Sequence, residues 1–229
     1  MVCNNRYMSF LSHKSALSVE LKIFLVIFTI AFLNNILLSN LSNKEVSVYT
    51  FFAGVPFSLF VYFLFIVLAS IGIALKNSKF IKWIFKGLLA FMTYHIVINL
   101  IQLITDQQIS QNGAAILLDA LLIWMSSLLV FSLWYWIIDR NGPIARELAK
   151  DETRYDLLFP QYQSQIPGWD KWTPKFLDYV FFSFFTSTGF SPADTLPLTK
   201  RAKLLMMIEA SISLVIIGMV AARAISLIQ

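Results

Sequence analysis

The chain has 229 residues, of which 58% are apolar and only 14% charged, with a mean hydropathy of +0.70 and a formal net charge of +5. A water-soluble domain cannot bury that much apolar surface, so soluble-enzyme classes are excluded and the bilayer is the expected solvent. The basic residues are spread among loops beside apolar runs rather than gathered on a polar domain, which points to membrane orientation and away from nucleic acid.

In the N-terminal tail, Arg6 and Lys14 precede an apolar run from Leu21 to Leu38. The run is too long for the core of a secretory signal and no small-x-small cleavage site follows it, so it reads as an uncleaved first span. The single cysteine, Cys3, lies in the same tail, which leaves no disulfide framework or cysteine metal cluster within one chain. Crossing hydrocarbon takes about 20 apolar residues. Five segments meet that length: 20–39, 53–75, 81–104, 114–138 and 203–228. Residues 40–49, 76–79 and 106–113 are short polar connections. By contrast, 139–174 is long, charged and rich in turn residues, and is the expected place for a small element outside the membrane.

The third span carries His95 and Asn99 one helical turn apart. Such a pair could relay a proton or mark the midplane cavity of a transporter; a histidine bonded to a neighbouring helix is the plainer alternative. His13 is in the tail, so no histidine metal site is expected, nor any cofactor. The fourth span carries Asp119 about five residues from one end and closes on Trp134-Tyr135-Trp136, which with Trp169 and Trp172 are expected to anchor at the membrane interface.

Residues 174–188 hold an apolar stretch of only about ten residues, half a bilayer at a rise of roughly 1.5 Å per residue. Pro174 suits a first helical turn, and Gly189 and Pro192 stop the helix at its other end. The segment reads as a re-entrant half-helix, and 189–199 must return the chain to the surface it left. The positive-inside rule supports this topology. With a dip at 188–191, 16 of the 18 basic residues share one side, whereas a full crossing lowers that to 13. The N-terminus, the long loop and the entry to the half-helix are then expected on the cytoplasmic side, with the C-terminus outside.

Ionisable residues within spans are costly in hydrocarbon and usually face an interior. In the last span, Arg223 matches Asp119 in depth, so a buried Asp119–Arg223 pair is expected. Glu209 lies fourteen residues before Arg223, near the cytoplasmic end, and points either at the half-helix or, by snorkelling, at Arg140 or Lys203. Ser211, Gly218 and Ala222 form a stripe of small residues roughly opposite Glu209 that permits close helix approach.

The run Asp178-Tyr179-Val180-Phe181-Phe182-Ser183-Phe184-Phe185-Thr186-Ser187-Thr188-Gly189-Phe190, followed by Asp194-Thr195-Leu196-Pro197, resembles the pore region of two-transmembrane potassium channels, where an aromatic, serine-rich half-helix leads into Thr-x-Gly-aromatic, an aspartate, a proline and the inner helix. The resemblance covers about 115 residues and implies that threonine hydroxyls and extended backbone present oxygens to a dehydrated cation. Here Thr188 abuts Gly189 and Ser191-Pro192-Ala193 follows Phe190, which precludes the usual ladder of stacked carbonyls and implies altered selectivity. With Ser191-Pro192-Ala193-Asp194 and Ala221-Ala222-Arg223-Ala224, the stretch is also similar to a family of bacterial membrane proteins with a pore-like C-terminal half.

The expectation is therefore an all-α integral membrane protein of five transmembrane helices plus one re-entrant pore-type half-helix, in a bacterial inner membrane. Residues 1–110 form a three-helix region. Residues 111–229 form a pore-like region with outer helix 114–138, cytoplasmic loop 139–173, half-helix 174–188, filter-like loop 189–199 and inner helix 203–228. One pore loop cannot enclose a filter, so a homo-oligomer is implied, four copies by analogy. Thr186, Thr188, Gly189, Phe190 and Ser191 would line the narrow point for monovalent cations, with Asp194 at its mouth and Glu209 tuning the vestibule. A non-conducting structural or assembly protein and a small-solute transporter are the alternatives.

Overall fold

A computed structural model describes residues 57–74, 78–105, 113–139, 155–162, 172–189 and 194–226. They are mostly helical: α1 (Phe57–Ala74), α2 (Ser78–Thr105), α3 (Gly113–Ile138), α4 (Phe176–Thr188) and α5 (Lys200–Ser226). The chain divides into two compact units, with the boundary between Lys86 and Gly87. In the first lies α1. The second holds most of α2, together with α3, α4, α5 and the segments between them.

Among the described residues three helices are long and apolar enough to cross a membrane, over Trp83–Ile101, Leu117–Ile138 and Lys200–Ala222. Five transmembrane helices were expected, and three of the described helices have the length and apolarity to be among them. The expected second span, 53–75, contains α1, an apolar helix of 18 residues, and its remaining residues lie outside the described ones. The expected first span, 20–39, lies outside the described residues. The all-α expectation also needs amending. Leu157–Leu158 and Leu196–Pro197 form a short antiparallel ladder, with Leu157 opposite Pro197 and Leu158 opposite Leu196.

Helix α4 follows from its end residues. Lys175 is the N-cap, so Pro174 sits one residue outside the helix rather than in its first turn. The Asp178 carboxylate accepts the Lys175 backbone N–H at 2.6 Å, satisfying an amide near the helix start and placing negative charge at the positive end of the helix dipole. At the other end Gly189 adopts φ 71°, a left-handed conformation that costs glycine little, and its N–H reaches the Thr186 carbonyl.

Helices α3, α4 and α5 pack against one another, and the contacts fix their directions. Along α4, Tyr179 meets Asp139 at the C-terminal end of α3, Ser183 meets Leu128, and the Phe184 ring meets Trp124. Along α5, Arg201 reaches the Ile138 carbonyl and Glu209 meets Tyr135. Both helices therefore run antiparallel to α3 and parallel to each other, starting from the same end. The core between them is aromatic and aliphatic: Phe131, Tyr135, Tyr179, Phe182 and Ile216 are buried, and Tyr135 meets Phe182 edge-on at 4.7 Å. Such a ring pair contributes about 0.5–1.5 kcal/mol beyond its area. Tyr135 and Trp136 were expected at the membrane interface. Both are instead buried among helices, at 0% and 4% exposure. Trp134 donates its indole N–H to the Thr93 hydroxyl of α2 at 2.9 Å.

Candidate functional site

The end from which α4 and α5 depart is closed by a polar clasp. The Asp139 carboxylate is fully buried at the C-terminus of α3. One oxygen accepts the Tyr179 hydroxyl at 2.8 Å, and the other accepts the backbone N–H groups of Asp156 and Leu157 at 3.3 and 3.4 Å. Asp156, also fully buried, accepts the Thr199 hydroxyl and the Arg201 Nε, both at 2.6 Å, and a further bond from the Arg201 guanidinium. Arg201 spans the fork by donating to the Ile138 carbonyl at 2.9 Å. Burying two carboxylates is affordable only because every oxygen is met by donors. The Leu198 N–H to the Asp156 carbonyl extends the strand ladder, and a chain of tilted and edge-on ring contacts runs through Tyr155, Tyr162, Trp172, Phe159 and Tyr179 to the first turn of α4. The clasp thus brings four parts of the chain to one point: the end of α3, the loop after it, the entry to α4 and the entry to α5.

A second polar cluster lies within the helices. Glu209 of α5 is fully buried. Its Oε2 accepts the Tyr135 hydroxyl at 2.6 Å and its Oε1 contacts the Ser183 hydroxyl of α4. Ser183 Oγ is also 2.8 Å from the Leu128 carbonyl, which accepts the Ser132 hydroxyl at 2.7 Å. One carboxylate therefore joins all three helices. Glu209 meets α4 and does not snorkel to Lys203; Arg140 lies outside the described residues.

The remaining expected site residues fall as follows. Thr186 is buried and donates its hydroxyl to the Phe182 carbonyl at 2.9 Å. Thr188, at the end of α4, lies 3.0 and 3.2 Å from the carbonyls of Phe184 and Phe185. Both hydroxyls satisfy their own helix, as threonine does in apolar surroundings. Gly189 and Asp194 are exposed, and Asp194 accepts the Thr195 hydroxyl at 3.1 Å. Phe190 and Ser191 lie outside the described residues. Asp119 is half-buried in α3. The Arg223 side chain lies outside the described residues, although antiparallel packing carries its backbone toward the same end as Asp119. His95 is half-buried, edge-on to Phe91 at 4.6 Å and to Tyr94 at 6.1 Å, with Asn99 half-buried one turn on. Ser211, Gly218 and Ala222 are exposed, and a Cβ on Gly218 would meet nothing within 4 Å. Among the described residues no group of three His, Cys, Asp or Glu could hold a metal ion.

Sequence reasoning missed Ser183, Tyr135 and the whole Asp139–Asp156–Arg201 clasp. Ser183 did carry a signal, since it is a hydroxyl set between Phe182 and Phe184 at the middle of an apolar helix. Asp139 and Asp156 carried none, because a buried loop carboxylate and a solvated one read alike. No known protein family, curated protein or solved structure matches this chain.

Proposed function

We propose that the protein is a channel-like integral membrane protein, passing monovalent cations with altered selectivity through a pore built from several copies, four by analogy with the potassium-channel pore module. The observation that carries this reading is the common start of α4 and α5 at one end of α3. A chain that descends along α4 to Thr188 and begins α5 beside Asp139 has to climb back between them. The 13 residues of α4 extend about 20 Å, short of a bilayer core of about 30 Å. Its C-terminal carbonyls, the negative end of the helix dipole, then lie at depth where they favour a cation. Irregular backbone at that depth is tolerated only when enclosed by protein or facing water.

In this reading Thr188, Gly189, Phe190 and Ser191 line the narrow point and Asp194 stands at its mouth. Thr186 drops out of the lining, because its side chain is packed among the helices of its own protomer. The bulk of α5 is lipid-facing or meets a second copy. A non-conducting structural or assembly role is the second reading, and the inward bonding of both threonine hydroxyls favours it. The transporter alternative is weaker, since the His95 ring packs edge-on against Phe91 of its own helix. Flux of sodium and potassium into liposomes holding the purified protein, together with the mass of the detergent-solubilised particle, tests the proposal. A symmetric oligomer whose flux changes on Thr188→Val supports it, whereas a monomer with no flux refutes it.

A further inference from the structure

Glu209 is fully buried within the apolar span of α5, and among the described residues no lysine, arginine or histidine pairs with it. A bare carboxylate at such a place is too costly to persist, so its charge has to be neutralised by a proton or by a cation. The surroundings are built of oxygen. Ser183 Oγ, the Leu128 carbonyl and Glu209 Oε1 lie in mutual contact, yet Ser183 has a single proton to give to two acceptors. The Leu128 carbonyl already accepts the Ser132 hydroxyl. With Glu209 ionised, acceptors therefore outnumber donors around Ser183.

Two further hydroxyls point to a ligand. Ser213 and Ser127 are 1% and 0% exposed, and the hydroxyl oxygen of each has no hydrogen-bond partner. Ser213 is one turn beyond Glu209 on the same face of α5, and Ser127 directly precedes Leu128 on α3. Because α3 and α5 run antiparallel, the helices carry both hydroxyls toward one level. Buried hydroxyls without partners are rare in folded proteins and call for an occupant.

We propose that Glu209, Ser183 and the Leu128 carbonyl, completed by Ser213 and Ser127, bind one dehydrated monovalent cation of sodium size. Charge sets the valence: a divalent ion against one carboxylate would leave a net positive charge buried, which costs several kcal/mol. Spacing sets the size. Ser183 Oγ and the Leu128 carbonyl, 2.8 Å apart, have to open by only a fraction of an ångström to surround an ion with short bonds to oxygen, such as the about 2.3–2.6 Å of calcium, whose radius sodium nearly shares; potassium needs a wider cage. The site lies inside one protomer, so the ion is a resident one. Its existence does not depend on whether the protein conducts.

Thermal unfolding of the purified protein in detergent, in sodium, potassium and choline chloride at equal ionic strength, tests the proposal. Sodium is expected to raise the midpoint by several degrees in a saturable way, with potassium and choline well behind. Ser213→Ala breaks no hydrogen bond, so it should keep the choline midpoint while weakening sodium by about tenfold or more, the scale on which loss of one supporting group acts at metal sites. Glu209→Gln should abolish the sodium shift; if that variant does not fold, Ser213→Ala decides alone. Equal wild-type midpoints in the three salts, an equal shift in potassium, or a sodium shift unchanged by Ser213→Ala would overturn the site. Flux measurements bear on the pore alone, so the two ideas fail separately.

Discussion

The Tyr135 hydroxyl of α3 donates to Glu209 of α5 at 2.6 Å, with both residues fully buried and the Phe182 ring of α4 packed edge-on against the tyrosine. A single aromatic side chain thereby serves the polar and the apolar contact between three helices. Tyr135→Phe keeps the ring and removes only the hydrogen bond. Because the acceptor is a carboxylate, the expected loss is about 1.5–3 kcal/mol, read as a lower unfolding midpoint in detergent. A midpoint unchanged from wild type would show that the bond contributes nothing.

Tyr179 and Asp139 are coupled across 2.8 Å, and their bond fixes the entry of α4 to the end of α3. Tyr179→Phe, Asp139→Asn and the double variant form a cycle whose interaction energy should fall within about 0.5–3 kcal/mol. Independent, additive effects would mean that the contact does not hold the half-helix.

Arg201 shows a contrast in exposure with its partner. Its side chain is 53% exposed while that of Asp156 is 0% exposed. Arg201→Gln leaves the buried carboxylate with only part of its donor set, whereas Asp156→Asn leaves an arginine that water can solvate. Arg201→Gln should therefore be the more damaging of the two, by about 1–2 kcal/mol after allowing for the exposed half of the pair. Its loop should also be cut faster by protease between Tyr155 and Tyr162. The reverse order of damage would contradict this assignment.

Gly189 ends α4 at φ 71° with open space where a Cβ would stand. The cost of Gly189→Ala is then one of backbone conformation, about 1–2 kcal/mol, with Gly189→Asn milder. Paired unfolding curves of the two variants measure the difference. An alanine variant as stable as wild type would show that the turn does not need its left-handed residue.

Much of this architecture is legible in the sequence. Spans 81–104, 114–138 and 203–228 answer to α2, α3 and α5, because an apolar run of that length has few other ways to satisfy its backbone. The half-helix at 174–188 answers to α4, since Lys175 and Gly189 bracket a stretch too short to cross. The second span, 53–75, contains the apolar helix α1, and the ends of that span lie outside the described residues. The polar clusters were harder to foresee. Glu209 stood out as a charge in a span, but its partner Tyr135 looked like one more interfacial aromatic. Asp139 and Asp156 gain their meaning from a strand ladder formed by residues nearly forty positions apart, which no local pattern announces.

The common start of α4 and α5 predicts that the chain between Phe176 and Thr199 enters and leaves the membrane from one side. Single-cysteine variants Lys175→Cys and Lys200→Cys, made with Cys3→Ser and treated in intact cells and in inverted vesicles with an impermeant maleimide, test it most directly. Both positions are exposed. Both are expected to react from the same side of the membrane. Labelling of Lys175→Cys from one side and of Lys200→Cys from the other would contradict it.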